Sequence, residues 1–225
     1  LSIIRLGDNL GVAAALNVGL VEAIRQDADF VLLSDQDSLP DEHMVENLVM
    51  AFHEVSAHEA RPVAAIGPIY TDLNSGVTYP FKAKIRGRLI TGHVMPSDKE
   101  PHVEALTLIT SGTLVWCPAL ADPGLMYEYF FIDKGDIEWC HRARSKGYLL
   151  FGTGSAVLNQ RMGEDSLLQI WYFGWRWQNV YRPIRLYYQV RNALLLCRLD
   201  HVDLQWKIRT CWHAAGNIYA HVFYS

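Results

Sequence analysis

The order of apolar runs and helical patterns is the feature that most constrains the fold of this chain. Residues 30–33 and 63–69 are apolar runs of strand length without polar alternation, which is typical of strands covered on both faces. Helices are predicted over residues 10–26 and from residue 38 to about residue 58, and a short strand over residues 1–6. This order of elements predicts an α/β fold, with right-handed crossovers and helices on both faces of a parallel sheet.

The rest of the chain predicts further short strands and three helices. The strands are expected near residues 88–94 and over residues 102–110, 148–151 and 156–158, and the helices over residues 135–145, 184–199 and 202–223. The remainder of residues 70–100 is expected to be loop. We therefore predict one domain over residues 1–165 and an aromatic, basic, helical region over residues 166–225 that packs on it.

Composition restricts the class of function. A net charge of −4 gives no basis for nucleic-acid binding. Cys117, Cys140, Cys197 and Cys211 form no CxxC pair, which argues against a metal or disulfide framework and predicts a reducing compartment. The segment from Trp171 onward has seven Lys/Arg and two Asp/Glu, which indicates contact with a membrane surface or a partner. No uncharged run reaches the roughly 18 residues that span a bilayer.

Two carboxylates stand where the first apolar run ends, in the segment FVLLSDQDSLP. Asp35 and Asp37 flank Gln36. Ligands of a parallel sheet bind at the carboxyl ends of its strands, so both carboxylates could face one hard cation, Mg²⁺ or Mn²⁺, that bridges to nucleotide phosphates. The alternative is an acidic turn that caps the predicted helix. The residues alone leave both interpretations open.

A second acidic cluster lies in FFIDKGDIEWCHRARSKGY, where a loop enters a predicted helix. Asp133, Asp136 and Glu138 fall there. Asp136 and Glu138 diverge by about 200° on a helix, so one could face a cleft while the other caps the helix or pairs with Arg142. A carboxylate in this place could be a general base, and the alternative is an acid that favours the helix dipole.

Five motifs in fixed order carry a resemblance to a known family. They are NLGVA with NVG, FVLLSDQDSLP, SGTLV, FIDKGDIEWCHRARSKGY and RPIRLYYQVRN. Together they resemble the bacterial rhamnosyltransferases among the family-2 glycosyltransferases, over a match from Asn9 to about Asn192. The resemblance implies a GT-A-type, mostly parallel sheet flanked by helices, followed by C-terminal helices. It also implies that the first strands of the fold precede the start of this chain.

The resemblance implies roles for particular residues. Asp35 and Asp37 match the DxD motif, which holds the divalent metal and the donor diphosphate, and Asp136 matches the base that deprotonates the acceptor hydroxyl. The other residues expected on the donor side are Asn9, Gly11, Asn17, Gln36, Ser111 and Gly112. The residues expected on the acceptor side are Glu138, Trp139 and Arg142. An acceptor-side or structural role is expected for the matched block Arg185, Tyr187, Tyr188, Arg191 and Asn192.

One position departs from the pattern of the family. A metal-binding histidine is expected after the base, and the segment AVLNQRMGED has Gln160 there. An amide oxygen coordinates a hard ion, though more weakly than the usual ligand. The expected metal ligands are therefore Asp35, Asp37 and Gln160.

The resemblance implies an inverting glycosyltransferase of cell-envelope polysaccharide biosynthesis. It would move rhamnose from dTDP-rhamnose onto a polysaccharide or lipid-linked acceptor, with Mg²⁺ or Mn²⁺ as cofactor. Direct displacement needs a base for the acceptor and neutralised charge on the leaving nucleoside diphosphate. The alternatives are transfer of galactofuranose or a hexose, and a non-catalytic scaffold that binds sugar nucleotides. The expected location is the cytoplasm, peripheral at the inner face of the plasma membrane.

Aromatic residues near the end of the chain allow several interpretations. The segment WYFGWRW, residues 171–177, could line an acceptor cleft, contact a membrane interface or pack against the sheet. The last predicted helix is the better amphipathic candidate for a membrane surface because it combines Trp206, Trp212 and Phe223 with Lys207 and Arg209.

Overall fold

The computed structural model describes residues 3–73, 76–84, 91–160, 167–171, 174–179 and 181–224. The helices are α1 (Val12–Arg25), α2 (Met44–His58), α3 (Gly135–Ser145), α4 (Pro183–Cys197) and α5 (Leu204–Tyr224). The first strands are β1 (Phe30–Leu32), β2 (Ser38–Pro40), β3 (Val63–Asp72), β4 (Thr78–Tyr79), β5 (Phe81–Lys84) and β6 (Thr91–Val94). The later strands are β7 (His102–Glu104), β8 (Leu114–Trp116), β9 (Leu149–Gln160), β10 (Leu167–Trp171) and β11 (Trp175–Asn179). The predicted α/β class is confirmed.

A mixed sheet with the strand order β1-β8-β3-β9-β2 lies at the centre of the fold. Strands β3 and β9 are parallel over most of their length. Strand β8 lies between β1 and β3 and is antiparallel to both, so β1 and β3 point the same way without touching. Strands β2 and β7 are antiparallel to β9. The α/β sheet is therefore mixed and not mostly parallel, because β3 and β9 form a parallel pair whereas β1, β2, β7 and β8 pair antiparallel with their neighbours.

Helices cover both faces of this sheet, as predicted. On one face, Leu20 of α1 and Trp139 of α3 pack with Leu150 of β9. On the other face, Leu48 of α2 packs with Ile66 of β3. Residues 63–69 of β3 are buried at every position, which explains why this segment lacks the polar alternation of a half-exposed strand.

Several local predictions differ from the structure. Residues 38–40 form strand β2 instead of the first turn of a helix, and α2 begins only at Met44. Residues 148–158 belong to one long strand, β9, instead of two. Residues 3–6 have no regular structure, and the strand predicted over residues 102–110 ends at Glu104. Of the strand predicted near residues 88–94, residues 88–90 lie outside the described residues and residues 91–94 form β6.

The C-terminal region begins with a hairpin that the sequence did not predict. Strands β10 and β11 pair antiparallel before the two predicted helices, α4 and α5. Val202 and Trp206 then pack with Leu106 and Phe130, so the last helices contact the region around α3. No helix in the described part of the chain is long and apolar enough to cross a membrane.

Candidate active site

The DxD segment contacts a short loop, residues 110–112, that joins it to the rest of the site. The backbone N–H of Gly112 donates to the carbonyl of Leu33 (2.8 Å), and the backbone N–H of Asp35 lies 3.4 Å from the Ser111 hydroxyl. Ser38 also contacts the Ser111 hydroxyl. Gly112 has a φ of +80°, and a Cβ at this position would lie 2.7 Å from Cγ of Pro68. Only glycine therefore fits here, and the predicted Ser111–Gly112 loop lies directly beside the DxD segment.

Strand pairing brings Gln160 to the same place. In the antiparallel pair of β2 and β9, Gln160 lies opposite Ser38, one residue beyond Asp37. The Gln160 side chain forms a hydrogen bond with the Asp35 carboxylate. The Oε1 atom of Gln160 is buried without a hydrogen-bond partner. Pairing of β2 with β9 thus gathers the three predicted metal ligands.

The electrostatics of this cluster fit a hard cation. Burial raises the pKa of Asp35, the neighbouring charge of Asp37 raises it further, and the hydrogen bond from Gln160 partly offsets both. Two adjacent carboxylates and a buried, unpartnered amide oxygen are a donor set that Mg²⁺ or Mn²⁺ would satisfy. No group of three His, Cys, Asp or Glu side chains gathers among the described residues, so an amide would complete this set.

The alternative that the DxD acids cap a helix is wrong. Strand β2 separates Asp37 from α2, whose N-cap residue is His43 without a side-chain capping bond. The acids therefore contribute nothing to the start of this helix.

Asp136 lies in the first turn of α3 and contacts the same short loop. Its Oδ1 accepts a hydrogen bond from the backbone N–H of Ile137 (2.8 Å), and its carboxylate also accepts one from the backbone of Thr110. Thr110 thus contacts Asp136, while the next residue, Ser111, contacts Asp35. The two acidic segments, a hundred residues apart in sequence, therefore contact adjacent residues of the loop 110–112.

The surroundings of Asp136 favour its protonated form. Burial raises the pKa of Asp136, and the hydrogen bonds from Ile137 and Thr110 and the charge of Lys134 offset this only in part. A carboxylate with a raised pKa accepts a proton more readily than an ordinary surface carboxylate.

The three residues predicted on the acceptor side are buried. Glu138, Trp139 and Arg142 are 0%, 2% and 7% exposed. The Arg142 guanidinium donates two hydrogen bonds to Glu138 (2.8 and 2.9 Å), and His201 contacts the same carboxylate at 2.8 Å. Trp139 Nε1 donates to the carbonyl of Gly124 (2.9 Å). The prediction that these side chains contact an acceptor does not fit this burial. They hold α3 against residues 123–127 and the α4–α5 connection.

The predicted donor residues Asn9, Gly11 and Asn17 lie just before and within α1, and Gly11 and Asn17 contact the chain segment that precedes α3. Gly11 has a φ of +87°, and a Cβ there would lie 2.5 Å from the Phe131 ring. The Asn9 side chain accepts from the backbone N–H of Gly11 (3.1 Å). Asn17 is buried, and its amide donates to Met126 and accepts from the same residue, both at 2.9 Å. Asn17 therefore positions this loop and does not offer its amide to a phosphate.

The loop over residues 130–134 has an unusual backbone. Phe131, Asp133 and Lys134 all have positive φ angles, of 60°, 63° and 67°. Such angles are unfavourable for residues with a Cβ, so the surrounding structure has to stabilise them.

Helix α4 supplies this stabilisation through the RPIRLYYQVRN block. Asn192 is fully buried, and its amide donates to the carbonyls of Phe130 (2.7 Å), Ile132 (2.6 Å) and Asp133 (3.0 Å). Arg191 donates to the carbonyl of Tyr129 (2.8 Å). The Tyr188 ring stacks on Phe131 with centroids 5.0 Å apart, and Arg185 lies 3.5 Å from the Asp133 carboxylate. Of the two roles left open for this block, the structural one fits these contacts. Tyr187 is 58% exposed and contacts the ring of Tyr188.

Sequence reasoning missed two lysines beside Asp136. The charges of Lys82 in β5 and Lys134 at the N-cap of α3 act on each other and on Asp136. Lys82 belongs to no motif. Lys134 lies within the motif FIDKGDIEWCHRARSKGY, two residues before Asp136, but the resemblance implied no role for it.

Comparison with known proteins agrees with the fold and the motifs. The chain is 28% identical over 211 residues to dTDP-rhamnosyl transferase RfbF of Shigella flexneri, which is 92% of this chain and 66% of the relative. The crystal structure of GalNAc-T7 with UDP, GalNAc and Mn²⁺ superimposes with a TM-score of 0.52 and 12% identity, over 94% of this chain and 42% of that one. S. aureus TarS with UDP-GlcNAc gives a TM-score of 0.46 at 15% identity, over 100% of this chain and 57% of that one. No protein-family model matches the chain.

These comparisons support a fold for the chain and, within that fold, a resemblance to one group of enzymes. Its fold is that of the GT-A glycosyltransferases. Within that class, the resemblance to bacterial rhamnosyltransferases that the motifs predicted is confirmed by the similarity to the dTDP-rhamnosyl transferase. The chain spans 66% of the length of that relative.

Proposed function

We propose that this protein is a metal-dependent inverting glycosyltransferase that moves rhamnose from dTDP-rhamnose onto a glycan acceptor. The observation that carries the proposal is the meeting of Asp35, Asp37 and Gln160 with Asp136 across residues 110–112. The name of the Shigella relative supports dTDP-rhamnose as the donor.

The two acidic segments divide the chemistry between them. Asp35, Asp37 and Gln160 would hold the divalent metal, which neutralises the charge of the leaving nucleoside diphosphate when it is bound. Asp136 takes the proton from the attacking hydroxyl of the acceptor, and its raised pKa suits a proton acceptor. Helix α4 and the Asn17 amide keep the preceding loop in place, so that Asp136 faces the reacting hydroxyl.

The assignment of domains and of location is part of this proposal. Residues 1–165 form the catalytic domain, and residues 166–225 form a region that packs on it. Exposed apolar side chains of the last helices include Ile184 and Leu194 of α4 and Ile208, Val222 and Phe223 of α5. Nearby arginines make these helices suited to anionic lipid. We propose peripheral contact with the cytoplasmic face of the plasma membrane and an acceptor that is a polysaccharide or a lipid-linked glycan.

One observation favours a second candidate function. Gln160 stands where the family has a histidine, and an amide binds a divalent metal more weakly. A non-catalytic scaffold that binds sugar nucleotides without transfer follows if the metal site does not support turnover. Transfer of galactofuranose or a hexose is the alternative within the enzyme class.

A donor screen tests the proposed function. The full-length protein is incubated with dTDP-rhamnose, UDP-galactofuranose and UDP-hexoses, with and without Mg²⁺ or Mn²⁺, and release of nucleoside diphosphate is measured. We expect release from dTDP-rhamnose that requires the metal and increases with a glycan acceptor. Release from another donor would identify a different transferase, and no release from any donor would favour the scaffold.

A further inference from the structure

Basic side chains from three parts of the chain, the β5–β6 hairpin, α5 and the start of α3, lie near one another, and the two lysines among them are near Asp136. Lys82 of β5 lies directly opposite His93 of β6 in their hairpin. The Lys82 ammonium lies 5.0 Å from the ring centroid of Trp206 in α5, and Arg209 follows one turn later on that helix. Lys134 is the N-cap residue of α3. Three separate parts of the chain are therefore needed to assemble this cluster, which we call the basic cluster.

The basic cluster holds more positive than negative charge. Burial and the charges of Arg209 and Lys134 together lower the pKa of Lys82 to about 8, against the opposing charge of Asp136. Burial likewise lowers the pKa of Lys134, against the opposing charges of Asp133 and Asp136. Asp133 already has Arg185 beside it. Within the described residues, neither lysine has an ion-pair partner.

Such a cluster of like charges is unfavourable by itself. Two neighbouring ammonium groups that are mostly removed from water lose hydration and repel each other. The single carboxylate of Asp136 offsets only part of this charge. An anion bound between the lysines would restore the missing attraction, and its binding would be strengthened by the low local dielectric constant.

The position of the basic cluster separates it from the predicted donor site. The donor diphosphate is expected beside Asp35, where the metal would balance its charge. The groups near Asp35 are the Asp37 carboxylate and the Gln160 amide, whereas Lys82 and Lys134 lie near Asp136. A cavity of about 50 Å³, lined by Lys82 with Tyr70 and Ile109 among others, opens next to this loop.

We propose that Lys82 and Lys134, with Arg209, form a subsite for a phosphate-type anion carried by the acceptor. The proposal rests on the proposed function in that it makes this anion part of the acceptor. Lysine ammonium groups bind phosphate as point charges and need no fixed fork geometry. The subsite would place the anion beside the base and so orient the reacting hydroxyl.

A binding experiment tests the subsite without any transfer reaction. Inorganic phosphate is titrated into the metal-free protein while the lysine side chains are observed by NMR. We expect the pKa of Lys82 to rise from about 8 on binding and Lys82→Gln to weaken phosphate affinity about tenfold, while Lys82→Arg retains it. Lys99→Gln, at an exposed lysine, is the matched control and should change nothing. Equal phosphate affinity in Lys82→Gln and the parent protein, with both folded, would overturn the proposal.

A kinetic experiment distinguishes the sources of the anion. Transfer is compared with three forms of one glycan acceptor, carrying a phosphate, a carboxylate or no charge. We expect Lys82→Gln to raise KM about tenfold for the phosphorylated acceptor and to leave KM for the neutral acceptor and metal-dependent dTDP binding unchanged. Loss of dTDP affinity would assign the basic cluster to the donor and overturn the proposal. An effect confined to the carboxylate acceptor would also contradict it. If no acceptor is used, the proposed function fails, and the phosphate titration alone decides the subsite.

Discussion

Replacing Asn192 by alanine tests whether α4 holds the loop that carries Asp136. The buried Asn192 amide donates to the carbonyls of Phe130, Ile132 and Asp133 at 2.6 to 3.0 Å. Alanine removes this donor; the carbonyl of Phe130 still accepts from the backbone N–H of Ile132, whereas a buried polar group that loses its partner costs about 1–3 kcal/mol. The amide has two N–H groups, so we expect the free energy of unfolding to fall by about 3 kcal/mol.

The same substitution should lower the rate of transfer more than folding alone explains. Three residues of the loop have positive φ angles, and without the Asn192 amide the backbone can relax and displace Asp136. A displacement of about 1 Å costs on the order of a hundredfold in rate. We therefore expect kcat to fall about a hundredfold at a temperature at which the variant is still folded, with little change in donor affinity.

The assay combines urea unfolding with steady-state kinetics of the same samples. The control is Asn217→Ala, because Asn217 of α5 is a half-buried helical asparagine that donates to Gln189 at 2.7 Å and lies far from the loop in sequence. Its loss should cost less than about 1.5 kcal/mol and leave kcat unchanged. If Asn192→Ala unfolds within about 1 kcal/mol of the parent protein and keeps kcat within about twofold, α4 does not position Asp136.

Three further variants test other parts of the account. Gly11→Ala should destabilise the fold by about 2–3 kcal/mol in thermal unfolding, because the added Cβ would meet the ring of Phe131. The control Gly7→Ala has a similar φ of +81° but open space around it, so it should destabilise the fold by about 1 kcal/mol. Glu138→Ala should lower the free energy of unfolding by about 3–5 kcal/mol, because Arg142 stays buried without its carboxylate. The control Glu104→Ala, in an exposed ion pair, should lower it by less than about 1 kcal/mol. A raised KM for the acceptor without loss of stability would instead restore Glu138 as an acceptor contact. Asp136→Asn should be at least as stable as the parent protein at neutral pH. Because the pKa of Asp136 is raised in the folded state, its contribution to stability is present at low pH and is lost as the pH rises through that folded-state pKa. If the parent protein and Asp136→Asn lose stability equally as the pH is raised, this reasoning is contradicted.

The sequence predicted those features that local pattern determines. The continuous apolar run of β3, the helical spacing of α1 and the stop of α3 at Lys146–Gly147 all depend on nearby residues, and the structure confirms them. It failed at residues 38–40, where Ser38 and Pro40 resemble a helix start. Pairing with the end of β9 decides their conformation instead, and that partner is more than a hundred residues away. The direction of β8 relative to β3 likewise depends on distant partners.

The same contrast between local pattern and distant partners applies to the candidate site. The motifs identified Asp35, Asp37 and Asp136, and strand pairing brings Gln160 to the first two. Motif position could not distinguish side chains that face the cleft from those that support it, so Asn17 and Glu138 were assigned to ligands although both are buried. Lys82 was missed because nothing in the local sequence relates β5 to α3.

Donor binding through the metal and proton transfer are assigned to different acidic residues, Asp35 and Asp136. The most direct test measures dTDP binding by calorimetry, with and without Mn²⁺, and the rate of rhamnosyl transfer, for the full-length protein, Asp136→Asn and Asp35→Asn. We predict that Asp136→Asn binds dTDP with the metal dependence of the parent protein and transfers at least about a hundredfold more slowly, whereas Asp35→Asn loses the effect of the metal on binding. Near-normal transfer by Asp136→Asn, or dTDP binding that Mn²⁺ does not strengthen in the parent protein, would contradict this assignment.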